Sequence, residues 1–350
     1  MTSFTHYYRG ALIFTVVCLT LGVTYGWHST GTASGTLSLL WIILVLSVLE
    51  VSLSFDNAVV NAAVLSGMEP VWQDRFLTWG VTFSVFGMRV VFPLAIVAVA
   101  TELGPLDALT LSLNEPDTYQ TLVSSAHISI AGFGGAFLCM VGMKFFFDAE
   151  KDVHWIAVVE NLLSRLSAVK TIEIGLLLLL LWAISGWLEP EDALTFLVAG
   201  ILGIVTYIAV EAINTWLQIR EEKRRQIGAV VRSGLGGFLY LNVLDASFSF
   251  DGVIGAFALS NNMVIIALGL SIGAVFVRSM TIHLVRRGTL TAYRFLENGA
   301  FWAILVLGVI MLLSARFHIP EVITGLLGSV LIGLSLWWSI RQAGHNSAGS

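Results

Sequence analysis

Long apolar runs constrain this chain more than any other feature. Hydrophobic residues make up 57% of the sequence and charged residues only 12%, with a mean hydropathy of +0.86. Soluble domains carry roughly 25% charged residues. A segment that crosses the roughly 30 Å hydrocarbon layer must satisfy its own backbone hydrogen bonds, which a helix of about 20 apolar residues does. The sequence therefore predicts an all-α polytopic membrane protein.

About ten apolar runs are long enough to form transmembrane helices. The predicted spans are 8–27, 37–66, 76–101, 126–147, 172–188, 193–217, 234–260, 262–285, 298–315 and 320–340. Between the fourth and fifth spans, an amphipathic surface helix is expected from Trp155 to Leu166. Its apolar side chains recur at helical spacing, which is typical of a helix that lies in the membrane interface.

The distribution of basic residues predicts the orientation of these helices. With the amino terminus in the cytoplasm, nearly all of the 18 Lys and Arg residues fall on the cytoplasmic side. Predicted loops on the other side, such as 102–117 and 189–192, carry acids instead. Because cytoplasmic loops are enriched in Lys and Arg, both termini are expected in the cytoplasm.

Two similar acidic strings lie inside apolar runs. The first extends from Glu50 to Asp56 and the second from Asp245 to Asp251, and both follow the pattern acid-x-Ser-x-Ser-Phe-Asp. A carboxylate near the bilayer centre costs about 2.5–3.5 kcal/mol on insertion scales. Binding of a cation is the expected reason for placing four of them there.

With this predicted orientation, the two strings cross the membrane in opposite directions. The span 37–66 runs inward and the span 234–260 runs outward, so we expect two inverted three-helix repeats, 37–147 and 234–315. The remaining regions are a peripheral transmembrane helix in 1–36, cytoplasmic loops with two connector helices in 148–233, and a transmembrane helix with a cytoplasmic tail in 316–350. In such folds the binding site lies at mid-depth between the repeats.

Charge balance favours a divalent ion at this site. Glu50, Asp56, Asp245 and Asp251 carry four negative charges if ionised, and Arg89 and Arg278, each in the next predicted helix, supply two positive ones. One divalent ion would balance the remainder. A second interpretation stays open, in which the acids are protonated or form structural ion pairs with the arginines.

Helical spacing identifies supporting oxygen atoms but leaves their arrangement open. Glu50, Ser54, Asn57 and Asn61 share one stripe of a regular helix, and Asp245 and Ser249 repeat its beginning. Glu50 and Asp56 face different directions on an unbroken helix. Either the two carboxylates serve different points of a pathway, or the helix is locally unwound. Carboxylate, hydroxyl and amide oxygens are hard ligands that suit Mg²⁺, Ca²⁺ or Mn²⁺.

The acidic strings resemble the paired signatures of the TerC family of integral membrane proteins, named for tellurium resistance. The similarity is closest to its DUF475-type branch, which shares the Phe-Gly-Gly-Ala-Phe-Leu segment at 133–138 and the Lys-Phe-Phe-Phe-Asp segment at 144–148. The resemblance implies export of Mn²⁺ or a similar divalent metal from the bacterial cytoplasm across the inner membrane. It also implies that the metal ligands are Glu50, Asp56, Asn57, Asp245 and Asp251. Gly252 departs from the pattern, because it replaces the amide that Asn57 supplies in the first string.

No catalytic constellation or phosphate-binding loop is evident, so the chain is not expected to be an enzyme or to hold a permanent cofactor. We expect a secondary transporter for a divalent cation, with counter-transported protons as the simplest coupling. Glu211 in the sixth span is a supporting candidate for a relay or an entry ligand. The alternative is a metal-binding scaffold of a membrane metal-stress complex without transport activity. Membrane lipid is an expected partner, a homo-oligomer is a further option, and nothing indicates nucleic acid.

Overall fold

The computed structural model describes residues 4–82, 104–148, 153–166, 171–226, 234–257, 259–260, 262–289, 293–317 and 321–348, with the single positions 87, 91, 94 and 319. Within these ranges the secondary structure consists of fourteen helices, without a strand. The helices are α1 (Phe4–Thr30), α2 (Ala33–Leu53), α3 (Phe55–Ser66), α4 (Pro70–Thr82), α5 (Pro105–Asn114), α6 (Pro116–Ser125), α7 (His127–Phe146), α8 (Ala157–Leu166), α9 (Ile172–Ser185), α10 (Pro190–Gln226), α11 (Leu235–Phe257), α12 (Met263–Arg287), α13 (Leu296–Ser314) and α14 (Glu321–Ala348).

Among the described residues, six helices are long and apolar enough to cross a membrane. They lie in α1, α2, α7, α10, α12 and α13, and α9 is a shorter apolar helix. This agrees with a polytopic helical membrane protein, while the count of ten spans remains a prediction. The third predicted span, 76–101, is described as a helix only up to Thr82.

Helix α9 shows how these apolar helices divide between protein and lipid. Leu177, Leu181 and Ile184 are buried and share one stripe, whereas Leu179 and Trp182 are exposed. A helix that is apolar all round but buries one stripe has its other faces suited to acyl chains.

The predicted outer loop 102–117 contains helices that were not predicted from the sequence. From Pro105 onward this region is helical, in α5 and the start of α6. Pro105 and Pro116 each occupy the first helical turn, where a missing N–H costs nothing and the fixed φ favours a helix. Both helices also bury apolar side chains, including Ala108 and Val123. The prolines, the buried face and the acids in the first turns, Asp107 and Asp117, all favour these helices.

The chain forms two compact units that are interleaved along the sequence. Unit 1 comprises 1–54, 74–127 and 248–283, and unit 2 comprises 55–73, 128–247 and 284–350. Each acidic string therefore begins in one unit and ends in the other.

In unit 1, small residues bring helices α2 and α12 into close contact. A Cβ atom on Gly269 would lie 2.6 Å from Leu46 Cβ, and one on Gly273 would lie 2.5 Å from Glu50 Cβ. Ser47 Oγ also donates a hydrogen bond across this contact to the Gly269 carbonyl, at 3.1 Å. Glycines four residues apart are a recurrent device for close packing of membrane helices. This contact brings Glu50 against the backbone of α12.

In unit 2, α7 and α13 cross at a pair of glycines. A Cβ on Gly135 would lie 2.9 Å from the Gly308 carbonyl oxygen, so neither helix tolerates a side chain at the crossing. Helix α13 also packs along α14, where Ser339 Oγ accepts a hydrogen bond from the Phe295 N–H at 2.9 Å.

A buried carboxylate attaches the surface helix α8 to α13. Helix α8 corresponds to the predicted amphipathic helix, yet Glu160 in its first turn is only 1% exposed. Its carboxylate accepts hydrogen bonds from Asn298 Nδ2 at 2.8 Å and Trp302 Nε1 at 3.0 Å. It also accepts the backbone N–H groups of Ile156 at 3.1 Å and Trp155 at 3.3 Å. Glu160 therefore caps its own helix and holds it against α13.

Replacement of Glu160 by Ala is expected to destabilise this attachment. Buried donors that lose an acceptor cost about 1–3 kcal/mol each, and Asn298 and Trp302 would both lose one. Thermal unfolding in detergent should show a lower midpoint for Glu160→Ala, and no change for Glu189→Ala, which alters an exposed carboxylate. Equal midpoints for the two variants would contradict the attachment.

Candidate metal site

The first acidic string lies at a break between two helices. Helix α2 ends at Leu53 and α3 begins at Phe55, with Ser54 between them at φ −101° and ψ 19°. The break is mild, because the Ser54 N–H still donates to the Glu50 carbonyl at 2.9 Å. In the second string, the backbone of α11 is a continuous helix from Leu235 to Phe257. Local unwinding, one of the two alternatives that the sequence leaves open, is therefore limited to one residue of the first string.

Glu50 is almost fully buried in unit 1, at 2% exposure. Its Oε1 accepts a hydrogen bond from Ser54 Oγ at 3.1 Å, which confirms the helical stripe that joins these two residues. A Cβ atom on Gly252 would lie 2.9 Å from Glu50 Oε2. Gly252 directly follows Asp251, so the carboxylate of the first string lies against the backbone of the second. This contact also explains the glycine, since a side chain at 252 would displace the Glu50 carboxylate.

Helix α3 presents three buried polar side chains in unit 2. Asp56, Asn57 and Asn61 are 3%, 5% and 4% exposed. Asp56 Oδ1 accepts the Asn57 N–H at 2.9 Å, and a Cβ on Gly328 of α14 would lie 3.0 Å from Asp56 Oδ2. The Oδ1 atoms of Asn57 and Asn61 have no hydrogen-bond partner among the described residues.

The two amide oxygens without a hydrogen-bond partner indicate a ligand site, because burying them in this state destabilises the fold. A buried acceptor without a donor costs about 1–3 kcal/mol, and native proteins retain few of them. Asn57 and Asn61 lie one helical turn apart, next to a buried carboxylate. Oxygen acceptors that lack N–H and O–H donors are suited to a cation.

The second string is preceded by a buried amide that sequence reasoning missed. Asp245 is 7% exposed and Asn242, one turn earlier on α11, is 8% exposed. Asn242 Nδ2 donates to the Phe238 carbonyl at 2.6 Å, while its Oδ1 has no partner in the described part of the chain. The sequence signal that could have identified Asn242 is an amide three residues before an acid within an apolar run. The side chains of Ser249 and Asp251, and all of Arg89, lie outside the described residues.

Arg278 is buried in unit 1 against helix α4. Its Nη1 donates to the Phe76 carbonyl at 2.7 Å, and its guanidinium carbon lies 3.9 Å from the centre of the Phe76 ring. Gly80, one turn further along α4, leaves room for this guanidinium. A cation–π contact and a carbonyl acceptor thus stabilise the positive charge. The pairing of Arg278 with the string carboxylates remains a prediction.

The described residues contain no group of three or more His, Cys, Asp or Glu side chains that could hold a metal ion. The donor sets that are present combine one carboxylate with neutral oxygens: Glu50 with Ser54 in unit 1, and Asp56 with Asn57 and Asn61 in unit 2. Such sets contain only hard oxygen ligands and would leave several positions of an ion to water or to other side chains, as Mg²⁺ and its relatives allow. Soft thiolate chemistry has no representative among these residues.

Comparison with known proteins identifies the family. The family described as "Protein of unknown function (DUF475)" matches residues 55–346. The chain belongs to this family. The matched region begins at the first residue of α3 and includes Asp56, Asn57, Asn61 and the whole second string, whereas Glu50 precedes it. No curated protein and no solved structure matches the chain.

Two glycines of α14 provide a matched test of the packing around Asp56. Gly328 faces the Asp56 carboxylate, whereas a Cβ on Gly333 would meet nothing within 4 Å. Gly→Ala in a helix normally stabilises by roughly 0.5–1 kcal/mol. Gly333→Ala should therefore raise the thermal midpoint in detergent slightly, and Gly328→Ala should lower it. A rise of similar size in both variants would show that Asp56 is not packed against α14.

Proposed function

We propose that this protein is a secondary transporter that exports a divalent metal cation, Mn²⁺ by resemblance, through carboxylates at mid-depth between two inverted repeats. The observation that carries the proposal is the set on α3, where Asp56 lies beside the amide oxygens of Asn57 and Asn61 that lack donors. These are buried oxygen acceptors of the kind that bind hard divalent cations.

The energetics of burial favour a cation over empty ionised acids. Asp56 is only 3% exposed, and an ionised carboxylate without compensation is costly in an apolar interior. Intramembrane acids in transporters commonly mark the path of an ion or a proton. A divalent ion compensates two such charges at once.

The ligand chemistry narrows the class of ion. Carboxylate, amide and hydroxyl oxygens favour Mg²⁺, Ca²⁺ and Mn²⁺ over copper and zinc, which prefer sulfur and imidazole. The choice of Mn²⁺ rests on the resemblance of the two strings to TerC signatures. The same resemblance, with the placement of Lys and Arg, supports export across the bacterial inner membrane with both termini inside.

Proton exchange is the proposed coupling. Carboxylates bind either a metal ion or protons, so the same residues can return protons after the metal leaves. In this scheme one inverted repeat rocks against the other around the carboxylates, as in other secondary transporters. Asp56 and Asn57 would bind the ion, and Glu50, Asp245 and Asp251 are the other ligands that the resemblance implies along its path.

Asp56→Asn is expected to reduce Mn²⁺ flux in proteoliposomes by roughly tenfold or more, as is typical for changes around a metal. The amide keeps the size of the side chain but removes the negative charge. Asp107→Asn, which changes an exposed aspartate of α5, is the matched control and should retain wild-type flux. Flux with a fluorescent Mn²⁺ indicator inside the vesicles gives the measurement.

Three outcomes separate transport from the scaffold alternative. Flux in the wild type that is lost in Asp56→Asn supports the proposal. Mn²⁺ binding without flux in the wild type would indicate the scaffold. Equal flux in the wild type and Asp56→Asn, at matched protein content, would reject the assigned site.

A further inference from the structure

A cavity of about 690 Å³ lies within unit 2, and Glu211, the supporting candidate of the sixth predicted span, is among its lining residues. The described residues that line it include three acidic side chains, Asp148, Glu173 and Glu211, and one basic side chain, Lys144. With all four ionised, these described side chains carry two net negative charges. Carboxylates that line one concave surface raise the local concentration of cations.

The cavity lies at one end of the helices that form it. Lys144 is in the last turn of α7, Glu173 in the first turn of α9, and Tyr240 near the start of α11. Helices that alternate in direction place these termini on a common face. By the distribution of Lys and Arg, this is the cytoplasmic face.

A buried hydroxyl distinguishes this cavity from a solvated acidic surface. Tyr207 of α10 lines the cavity, is only 4% exposed and contacts Phe137 edge to face, with ring centres 5.8 Å apart. Its hydroxyl makes no hydrogen bond in the described part of the chain. Within the same part, no ion pair joins Lys144 to Glu173 or Glu211. The Tyr207 hydroxyl and the carboxylates of Glu173 and Glu211 are thus available to a ligand.

The cavity adjoins the polar residues of both motif helices. Val64, which lines it, is one turn beyond Asn61 on α3. Tyr240, which also lines it, is two residues before Asn242 on α11. An ion in this space would therefore lie within about one helical turn, along α3 and α11, of the buried amides of Asn61 and Asn242.

The dimensions suit a hydrated ion better than a bare one. The described residues hold no cluster of three acidic, His or Cys side chains that could coordinate a metal directly. Six waters occupy about 180 Å³ at roughly 30 Å³ each, well within the cavity. Small divalent ions also release their water reluctantly.

We propose that this cavity is an inner vestibule that binds the divalent cation with its complete first hydration shell, before the ion reaches the buried carboxylates. This inference rests on the proposed transport function. Glu173, Glu211 and the Tyr207 hydroxyl accept hydrogen bonds from the water shell, and Lys144 weakens the attraction. The vestibule concentrates cations through charge, and the deeper oxygens select among them.

Kinetics of Mn²⁺ flux in proteoliposomes test the vestibule with four variants: Glu173→Gln/Glu211→Gln, Glu211→Gln alone, Lys144→Gln and Glu191→Gln. The double variant Glu173→Gln/Glu211→Gln should raise KM about fivefold or more and leave kcat within about twofold, because only the capture of the ion is weakened. Lys144→Gln should lower KM, since it removes the opposing charge. Glu191→Gln, which changes an exposed acid in the first turn of the same helix as Glu211, should leave both constants unchanged.

The kinetic outcomes are decisive for this role. Opposite shifts of KM in the acidic and Lys144 variants support the vestibule. An unchanged KM in the double variant, or a loss of kcat at constant KM, would overturn it. Equal effects of Glu191→Gln and Glu211→Gln would also overturn it, since they would reflect surface charge alone.

A binding measurement separates failure of the vestibule from failure of transport. Pulsed electron–nuclear double resonance counts the water protons around Mn²⁺ bound to the full-length protein in detergent, here in the Asp56→Asn background. The vestibule is supported if the bound Mn²⁺ retains six waters and this binding is lost when Glu173→Gln/Glu211→Gln is added. That conclusion holds even if the wild type shows no flux. Direct protein ligands on that Mn²⁺, or binding that the double variant does not change, would contradict it.

Discussion

The negative charge of carboxylates enclosed by apolar helices is the constraint on which the rest of this structure depends. Glu50, Asp56 and Asp245 are removed from water, where each would be solvated at no cost. Local hydrogen bonds from Ser54 to Glu50 and from the Asn57 N–H to Asp56 replace part of the lost solvation. The amide oxygens around Asp56 increase the need for a compensating partner, because they are acceptors and not donors. A positive ion is a ligand that would satisfy carboxylates and amide oxygens together.

Glycines position these carboxylates within the helix packing. Glu50 lies against Gly252 and Gly273 in unit 1, and Asp56 lies against Gly328 in unit 2. At each contact a Cβ atom would occupy space next to the acid or its stem. The helices therefore approach closely enough to exclude lipid and water, while the carboxylates keep their place between them. Close packing and the placement of the carboxylates thus depend on the same positions.

The sequence predicts the fold more completely than it predicts the site. Apolar runs locate most helices, including α7, α12 and α13, because a chain in a bilayer has few alternatives to a helix. The missed helices α5 and α6 lie outside such runs, where prolines and a buried face decide. Glu160 and Asn242 were missed for another reason. Their burial depends on contacts with helices distant in sequence, which periodicity along one helix does not report.

Anomalous diffraction from crystals soaked in Mn²⁺ tests the central claim most directly. The account predicts an anomalous peak within coordination distance of the Asp56 carboxylate and an amide oxygen of Asn57 or Asn61, and its loss in Asp56→Asn crystals. The central claim would be contradicted by an anomalous peak remote from every string carboxylate, in crystals where a protein N–H or O–H donates to those amide oxygens.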